Sequence, residues 1–226
     1  MKLMTALVIA VIAVVAASAL AADERRSGAE FMSAATQAMQ RDDAQNPGML
    51  WIASGEAQWK QACVNCHGDA RSSMRGVAAR FPAFDAGSGK VVNLSQRINL
   101  CIDRKTHAKP LPAESEALLG LEAYVAMQSR GMPVNPPQDA ATRAAAARGQ
   151  QLYQQRIGQL NLSCAQCHDQ QWGKRLAAST IPQAHANAYP IYRLEWQAMG
   201  SLQRRLRNCI SGVRAEVPPF GAQELA

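Results

Sequence analysis

Two pentapeptides, Cys63-Val64-Asn65-Cys66-His67 and Cys164-Ala165-Gln166-Cys167-His168, constrain this chain more than any other feature. At the Cys-x-x-Cys-His spacing two thiols add across the vinyl groups of one haem, and the adjoining imidazole reaches the iron. Each motif therefore predicts a small fold wrapped around a covalent haem c: Cys63 and Cys66 hold one haem, Cys164 and Cys167 the other, with His67 and His168 as iron ligands. Zinc is the rival use of paired cysteines, but the adjacent histidines and an exported context fit haem better.

Export is read from residues 1–21, a signal peptide with Lys2 as its positive end, an apolar stretch from Leu3 to Val15, and the small-residue site Ala19-Leu20-Ala21. An uncleaved membrane anchor is the competing reading. Small residues dilute the apolar run before Asp23-Glu24-Arg25-Arg26, so cleavage and no stable membrane insertion are expected. The mature protein is then periplasmic, the kind of compartment where thiols not otherwise committed are driven towards disulfides. Its length, about 205 residues, allows two small domains rather than one large core. The formal charge of +7 falls by one with the loss of Lys2, and the propionates of two haems offset most of the rest. No Lys/Arg run is interleaved with aromatics, which argues against a nucleic-acid partner.

The chain also repeats itself. Phe81-Pro82-Ala83-Phe84 returns 108 positions later as Tyr189-Pro190-Ile191-Tyr192, and the same offset matches Leu94 with Leu202, Arg97 with Arg205, Ile98 with Leu206, and Cys101 with Cys209. The haem motifs lie 101 apart, so the second copy holds seven additional residues after its motif. Upstream, Gly55 with Trp59 and Gly149 with Tyr153 mark matching helices. The expected fold is mainly α, with two cytochrome c-like haem domains related by internal duplication and long loops around the cofactors. An extension over 22–45, with a short helix from Ser33 to Arg41, precedes a first domain over 46–135 and a second over 136–226. The connector Gly131-Met132-Pro133-Val134-Asn135-Pro136-Pro137 breaks the preceding helix and stiffens the link. An amphipathic helix over 116–128 closes the first domain, whereas at the same offset Leu118 meets Ala226, the last residue. The second domain thus lacks its closing helix, and the expectation is a fragment, with a partner-supplied helix as the alternative.

Cys101 and Cys209 remain once the four thioether cysteines are assigned. A disulfide between them suits an exported protein. The duplication favours the other reading, in which each thiolate is the second axial ligand of its own domain's iron, because equivalent positions serve equivalent local roles. Met74 and Met199, the methionine alternatives, do not recur between copies, and Met127 and Met132 have no counterparts to compare. His107 and His185 read as loop histidines. Thiolate ligation lowers the haem potential, which suits a sulfur that itself takes part in chemistry. One helical turn before Cys209, Arg205 falls on the same face and can hold an oxyanion. Arg204 and Arg207 read as a solvated basic face or as propionate ligands. The first domain, without these basic neighbours, reads as a relay or structural remnant.

These residues, together with Asp42-Asp43-Ala44-Gln45-Asn46-Pro47-Gly48-Met49-Leu50-Trp51, Ser73-Met74-Arg75-Gly76-Val77-Ala78-Ala79-Arg80, Trp172-Gly173-Lys174-Arg175-Leu176, Ile181-Pro182-Gln183-Ala184-His185 and Tyr189 to Trp196, give a sequence that closely resembles the SoxA family. These are the dihaem cytochrome c subunits of L-cysteine S-thiosulfotransferase in Sox thiosulfate-oxidising systems. The resemblance implies that Cys101 and Cys209 are distal ligands of haem 1 and haem 2, that Cys209 carries a persulfide in turnover, and that Arg205 binds the anionic substrate. It implies oxidative coupling of thiosulfate to a cysteine of a SoxYZ-like sulfur carrier, and a heterodimer with a small SoxX-like cytochrome c. A dihaem electron-transfer cytochrome without sulfur-transfer activity is the alternative, and a dihaem peroxidase a third reading.

Overall fold

The computed structural model describes residues 25–226, so the signal peptide read over 1–21 lies outside the described residues. In the extension, Ala34–Arg41 (α1) begins where the Ser33 hydroxyl accepts from the Thr36 N–H, and it ends at Asp42. The serine satisfies one of the orphan donors of the first turn, which is why the helix starts there.

The first domain comprises Gly48–Ala62 (α2), the single turns Val64–His67 (α3) and Ala70–Ser73 (α4), a hairpin of Ala83–Asp85 (β1) and Lys90–Val92 (β2), and the helices Leu94–Thr106 (α5) and Glu116–Met127 (α6). Two glycines allow α2 and α6 to cross with their backbones in contact. A Cβ on Gly55 would sit 2.0 Å from the Gly120 carbonyl oxygen and 2.9 Å from the Tyr124 Cβ. Beneath that crossing Trp59, Ala70, Leu94, Leu121 and Val125 form the core, with Cys63, Met74, Phe81 and Ile98 packed against it. The sequence predicts α6 to be amphipathic. Instead it is buried nearly all round, from Leu118 through Ala123, because one side meets α2 and another meets a strand of the second domain.

The second domain comprises Ala140–Gln154 (α7), Cys164–His168 (α8), a hairpin of Arg175–Leu176 (β3) and Ser179–Thr180 (β4), a hairpin of Ile191–Arg193 (β5) and Ala198–Gly200 (β6), and Leu202–Gly212 (α9). Its register repeats that of the first. Ala83 pairs with Val92 and Asp85 with Lys90, while Ile191 pairs with Gly200 and Arg193 with Ala198, each displaced by 108. Asn93 caps α5 and Ser201 caps α9 at the same displacement, and the Phe81–Pro82 and Tyr189–Pro190 bonds are both cis. The β3–β4 hairpin falls in the stretch that carries the seven additional residues.

Among the described residues no helix lies on α7 as α6 lies on α2. A Cβ on Gly149 would meet nothing within 4 Å, and Leu152 is 39% exposed. The domains nonetheless pack together. Met199 is buried and reaches within 3.4 Å of a Cβ placed on Gly48, and the Ser201 N–H donates to the Glu114 carboxylate at 3.4 Å. The connector, without regular structure, is pinned to the first domain by the Asn135 N–H donating to the Ala79 carbonyl at 2.7 Å. Among the described residues no helix is long and apolar enough to cross a membrane.

Candidate functional site

Each motif is presented by a helix that is tied to the residue just after the motif histidine. In the first copy the Trp59 Nε1–H donates to the Gly68 carbonyl at 3.0 Å, and its ring stands 5.6 Å from that of His67. In the second, the Tyr153 hydroxyl donates to the Asp169 carboxylate at 2.6 Å. The Trp59–Tyr153 match read from the sequence is thus a match of function as well as position. Ser163 adds a capping box ahead of Cys164, which nucleates the single turn carrying Cys164, Cys167 and His168.

Both distal cysteines stand beside their own motif. Burial pushes the Cys63 thiol up, and Cys101 adds to the effect from close by. Cys209 adds to the burial that pushes the Cys164 thiol up, and it hydrogen-bonds the His168 ring. All six cysteines are free thiols, so the Cys101–Cys209 disulfide reading is not the arrangement found.

His168 is oriented for a ligand role. Its Nδ1 lies 2.7 Å from the Pro182 carbonyl oxygen, a contact that requires Nδ1–H as the donor and leaves Nε2 to face Cys209. The ring's affinity for a proton is raised, first by the hydrogen bond to Cys209 and then, against its burial, by Pro182. The Cys209 thiol is held below its ordinary value, first by His168, then, against its burial, by Arg205 and Arg193. A cavity of about 690 Å³ lined by Gly149, Tyr153, His168, Trp172 and His185 adjoins this pair. Two thiols, an oriented imidazole and an apolar-walled cavity are the donor set a haem c needs, and the residues fit the group.

The arginines around Cys209 divide into two kinds. Arg205, half-buried on α9 one turn before Cys209, has no carboxylate partner among the described residues. Of the two readings of Arg204 and Arg207, a solvated face or propionate ligands, the solvated face is not what they form. Arg204 lies 4.2 Å from the Trp196 ring centroid, and Arg207 lies over Phe220 at 4.3 Å and donates to the Pro218 carbonyl. Aromatic surface close by competes successfully with water for a weakly hydrated guanidinium. Met74 packs on the first core and Met199 at the domain junction. His107 terminates α5 in the left-handed region, and His185 hydrogen-bonds Gln183 at the cavity rim.

Sequence reasoning passed over three residues. Arg193, on β5, has a buried Nε with no hydrogen-bond partner among the described residues. Tyr189 shares its surroundings, since Arg205, Arg193 and Cys209 all act on its hydroxyl. In the first copy, Asp85 takes the Arg97 and Arg104 guanidiniums at 2.6 and 2.7 Å. The repeat matches Tyr189 with Phe81 but gives it no role, and reading the 108 offset through every residue of the hairpin, rather than only its aromatic positions, exposes the exchange of Asp85 for Arg193.

Known proteins carry the same pattern. The family model for the SoxA/TsdA cytochrome c domain matches residues 49–134, the first copy. The L-cysteine S-thiosulfotransferase subunit SoxA of Pseudaminobacter salicylatoxidans is 36% identical over 90% of this chain and 74% of its own length. The subunit of the same name from Rhodovulum sulfidophilum is 33% identical over 89% of this chain and 73% of its own. In the crystal structure of SoxXA from P. pantotrophus, one chain matches with a TM-score of 0.84 at 30% identity, covering 89% of this chain and 80% of that one.

Proposed function

The chain belongs to the SoxA family, and on that premise we propose that it acts as an L-cysteine S-thiosulfotransferase subunit, coupling thiosulfate oxidatively to a cysteine of a sulfur-carrier protein. As a cytochrome c it carries covalent haem c. We infer two, one on Cys63 and Cys66 with His67 and Cys101 at the iron, the other on Cys164 and Cys167 with His168 and Cys209. The single observation that carries the assignment of the working site is the cluster of His168, Cys209 and Arg205, where a cysteine that hydrogen-bonds the motif histidine lies one helical turn from a guanidinium that no carboxylate among the described residues neutralises.

In this reading Cys209 carries one extra sulfur as a persulfide. Arg205 receives the sulfonate oxygens of thiosulfate and brings its outer sulfur to the persulfide. An S–S bond forms between those sulfurs with loss of two electrons. The carrier thiolate then attacks the thiosulfate-derived sulfur, forming its own S–S bond as the bond to the persulfide breaks. The persulfide is thereby restored, and the net change is thiosulfate plus thiol giving the S-sulfonated disulfide, one proton and two electrons. The haem, when bound, supplies the one-electron route by which those electrons leave. His168 holds the site together through its bond to Pro182.

The likeness to a chain of the SoxXA complex supports a small SoxX-like cytochrome c as partner. A SoxYZ-like carrier and a periplasmic location complete the proposal. Replacing Cys209 by Met tests it: haem attachment should survive and thiosulfate coupling should vanish. Coupling retained in that variant refutes the mechanism and leaves an electron-transfer cytochrome.

A further inference from the structure

The duplication supplies an internal control for the site. Asp85, Phe81 and Arg97 of the first copy stand, by strand register and helix cap, where Arg193, Tyr189 and Arg205 stand in the second. In the first copy the hairpin carboxylate, 5% exposed, neutralises the helix arginine: Arg97 meets it at 2.6 Å, and Arg104 fills the other oxygen at 2.7 Å. A guanidinium occupied in this way has little left to offer an incoming anion. In the second copy the carboxylate has become Arg193, and Gly212 replaces Arg104. The acid that would tie Arg205 down is gone, a second guanidinium stands in its place with one terminal nitrogen on Glu195 and its Nε without an acceptor among the described residues, and the Phe81 ring has gained a hydroxyl as Tyr189.

Arg193 is held rather than left to wander. Its guanidinium lies 5.0 Å from the Trp196 ring centroid, and one terminal nitrogen reaches Glu195 at 2.7 Å. Trp196 in turn packs where only a glycine is tolerated, since a Cβ on Gly200 would stand 2.3 Å from its Cζ3. Arg204 covers the same ring. This leaves the Arg193 Nε–H buried and without an acceptor among the described residues, an arrangement that costs free energy unless a ligand supplies one. The charge of Arg193 reaches both Cys209 and Tyr189.

We propose that Arg193 and Tyr189 join Arg205 in a clamp for the sulfonate group of thiosulfate, and that the acid-to-base exchange at this one hairpin position confines anion binding to the second copy. The inference rests on thiosulfate being the substrate at Cys209. Two guanidiniums and a phenol match the three oxygens of a sulfonate, whose outer sulfur then points to Cys209. No bond is made or broken by these residues; they bind and orient.

The test uses the oxidised holoprotein with its small cytochrome partner, without carrier, so that calorimetric titration with thiosulfate reads binding apart from turnover. Arg193→Gln removes one charged donor and should weaken binding about tenfold. Arg193→Asp rebuilds the Asp85–Arg97 pairing in the second copy, withdraws Arg205 as well, and should weaken it about a hundredfold. Tyr189→Phe should cost about threefold to tenfold, as for a lost hydrogen bond to an anion. Haem absorbance and far-ultraviolet circular dichroism should stay at wild-type values in all three variants, which establishes that they are folded. The clamp is overturned if Arg193→Asp binds as well as Arg193→Gln, or if the midpoint potential of the second haem moves while binding does not, since Arg193 would then be serving a haem propionate. A wild type that binds thiosulfate tightly yet couples none would sink the transferase reading, with the clamp still judged on the three dissociation constants.

Discussion

Replacing Gly55 by Ala puts one methyl group where two helix backbones already touch. The new carbon would lie 2.0 Å from the Gly120 oxygen and 2.4 Å from its carbonyl carbon, more than about 1 Å inside the usual contact distance. Both obstructing atoms are backbone, so no rotamer change relieves them. The helices α2 and α6 must part, and their separation loosens the core of Trp59, Leu121 and Val125 beneath. Overpacking costs about 1–3 kcal/mol where side chains can adjust, and here they cannot. Against this, alanine returns about 1 kcal/mol of helix propensity. The expected net loss is about 3 kcal/mol, or roughly 6–12 °C in Tm for a chain of this size. Gly149→Ala, the same change in the second copy, meets nothing within 4 Å and should alter stability by less than about 1 kcal/mol. Urea unfolding of the holoprotein, followed by far-ultraviolet circular dichroism and haem absorbance, reads both. Equal effects at the two glycines, or a loss below about 1 kcal/mol at Gly55, would refute the crossing as the first domain's closure.

Two further outcomes concern buried carboxyl groups. Asp85→Ala leaves Arg97 and Arg104 facing each other without their shared acid and should cost about 2–3 kcal/mol, less than a fully buried pair because both arginines are partly exposed. The hydrogen bond from Arg104 holds the Asp85 carboxyl far below the ordinary range, so its stabilisation is present above about pH 4 and is lost only as pH falls through that depressed value. The variant should therefore lose the wild type's acid-induced destabilisation in an unfolding series taken below pH 4. Burial, reinforced by Glu114 and opposed by the Ser95 N–H, pushes Glu122 up to about 8, and its Oε2 is buried without a partner among the described residues. Its contribution is complete below about pH 4.3 and is lost as pH rises through the folded value, with a slope of at most about 1.4 kcal/mol per pH unit. Glu122→Gln should flatten the stability profile between pH 5 and 8; a profile with the wild-type slope would show that Glu122 is not the titrating group.

Much of the site could be read before any coordinates. The haem motifs name their own chemistry, since only the Cys-x-x-Cys-His spacing brings both thiols and an imidazole to one porphyrin. Cys101 and Cys209 emerged from a repeat offset, and Arg205 from helical period, because each depends on spacing along one element. Helix caps at Ser33 and Ser201 are equally local. What escaped was partnership across the fold. Nothing in the composition of α9 shows that Trp196 and Phe220 wait to cover Arg204 and Arg207. The burial of α6 on several sides was missed because the second domain supplies part of its cover.

The primary structure alone determined the cytochrome c class and its internal duplication, and named the cysteines and histidines proposed to hold haem, since covalent attachment depends on residue spacing and a duplication is written in residue order. Only the tertiary structure shows that the helix arginine is neutralised in the first copy and left without a carboxylate partner among the described residues in the second. That difference turns on the hairpin side chain at one position of the repeat: Asp85 neutralises Arg97 in the first copy, whereas its counterpart Arg193 has no carboxylate to offer Arg205. Two residues twelve apart in sequence acquire an electrostatic relation only when the chain folds back and brings them within a few ångströms, where Coulomb interactions escape the screening of water.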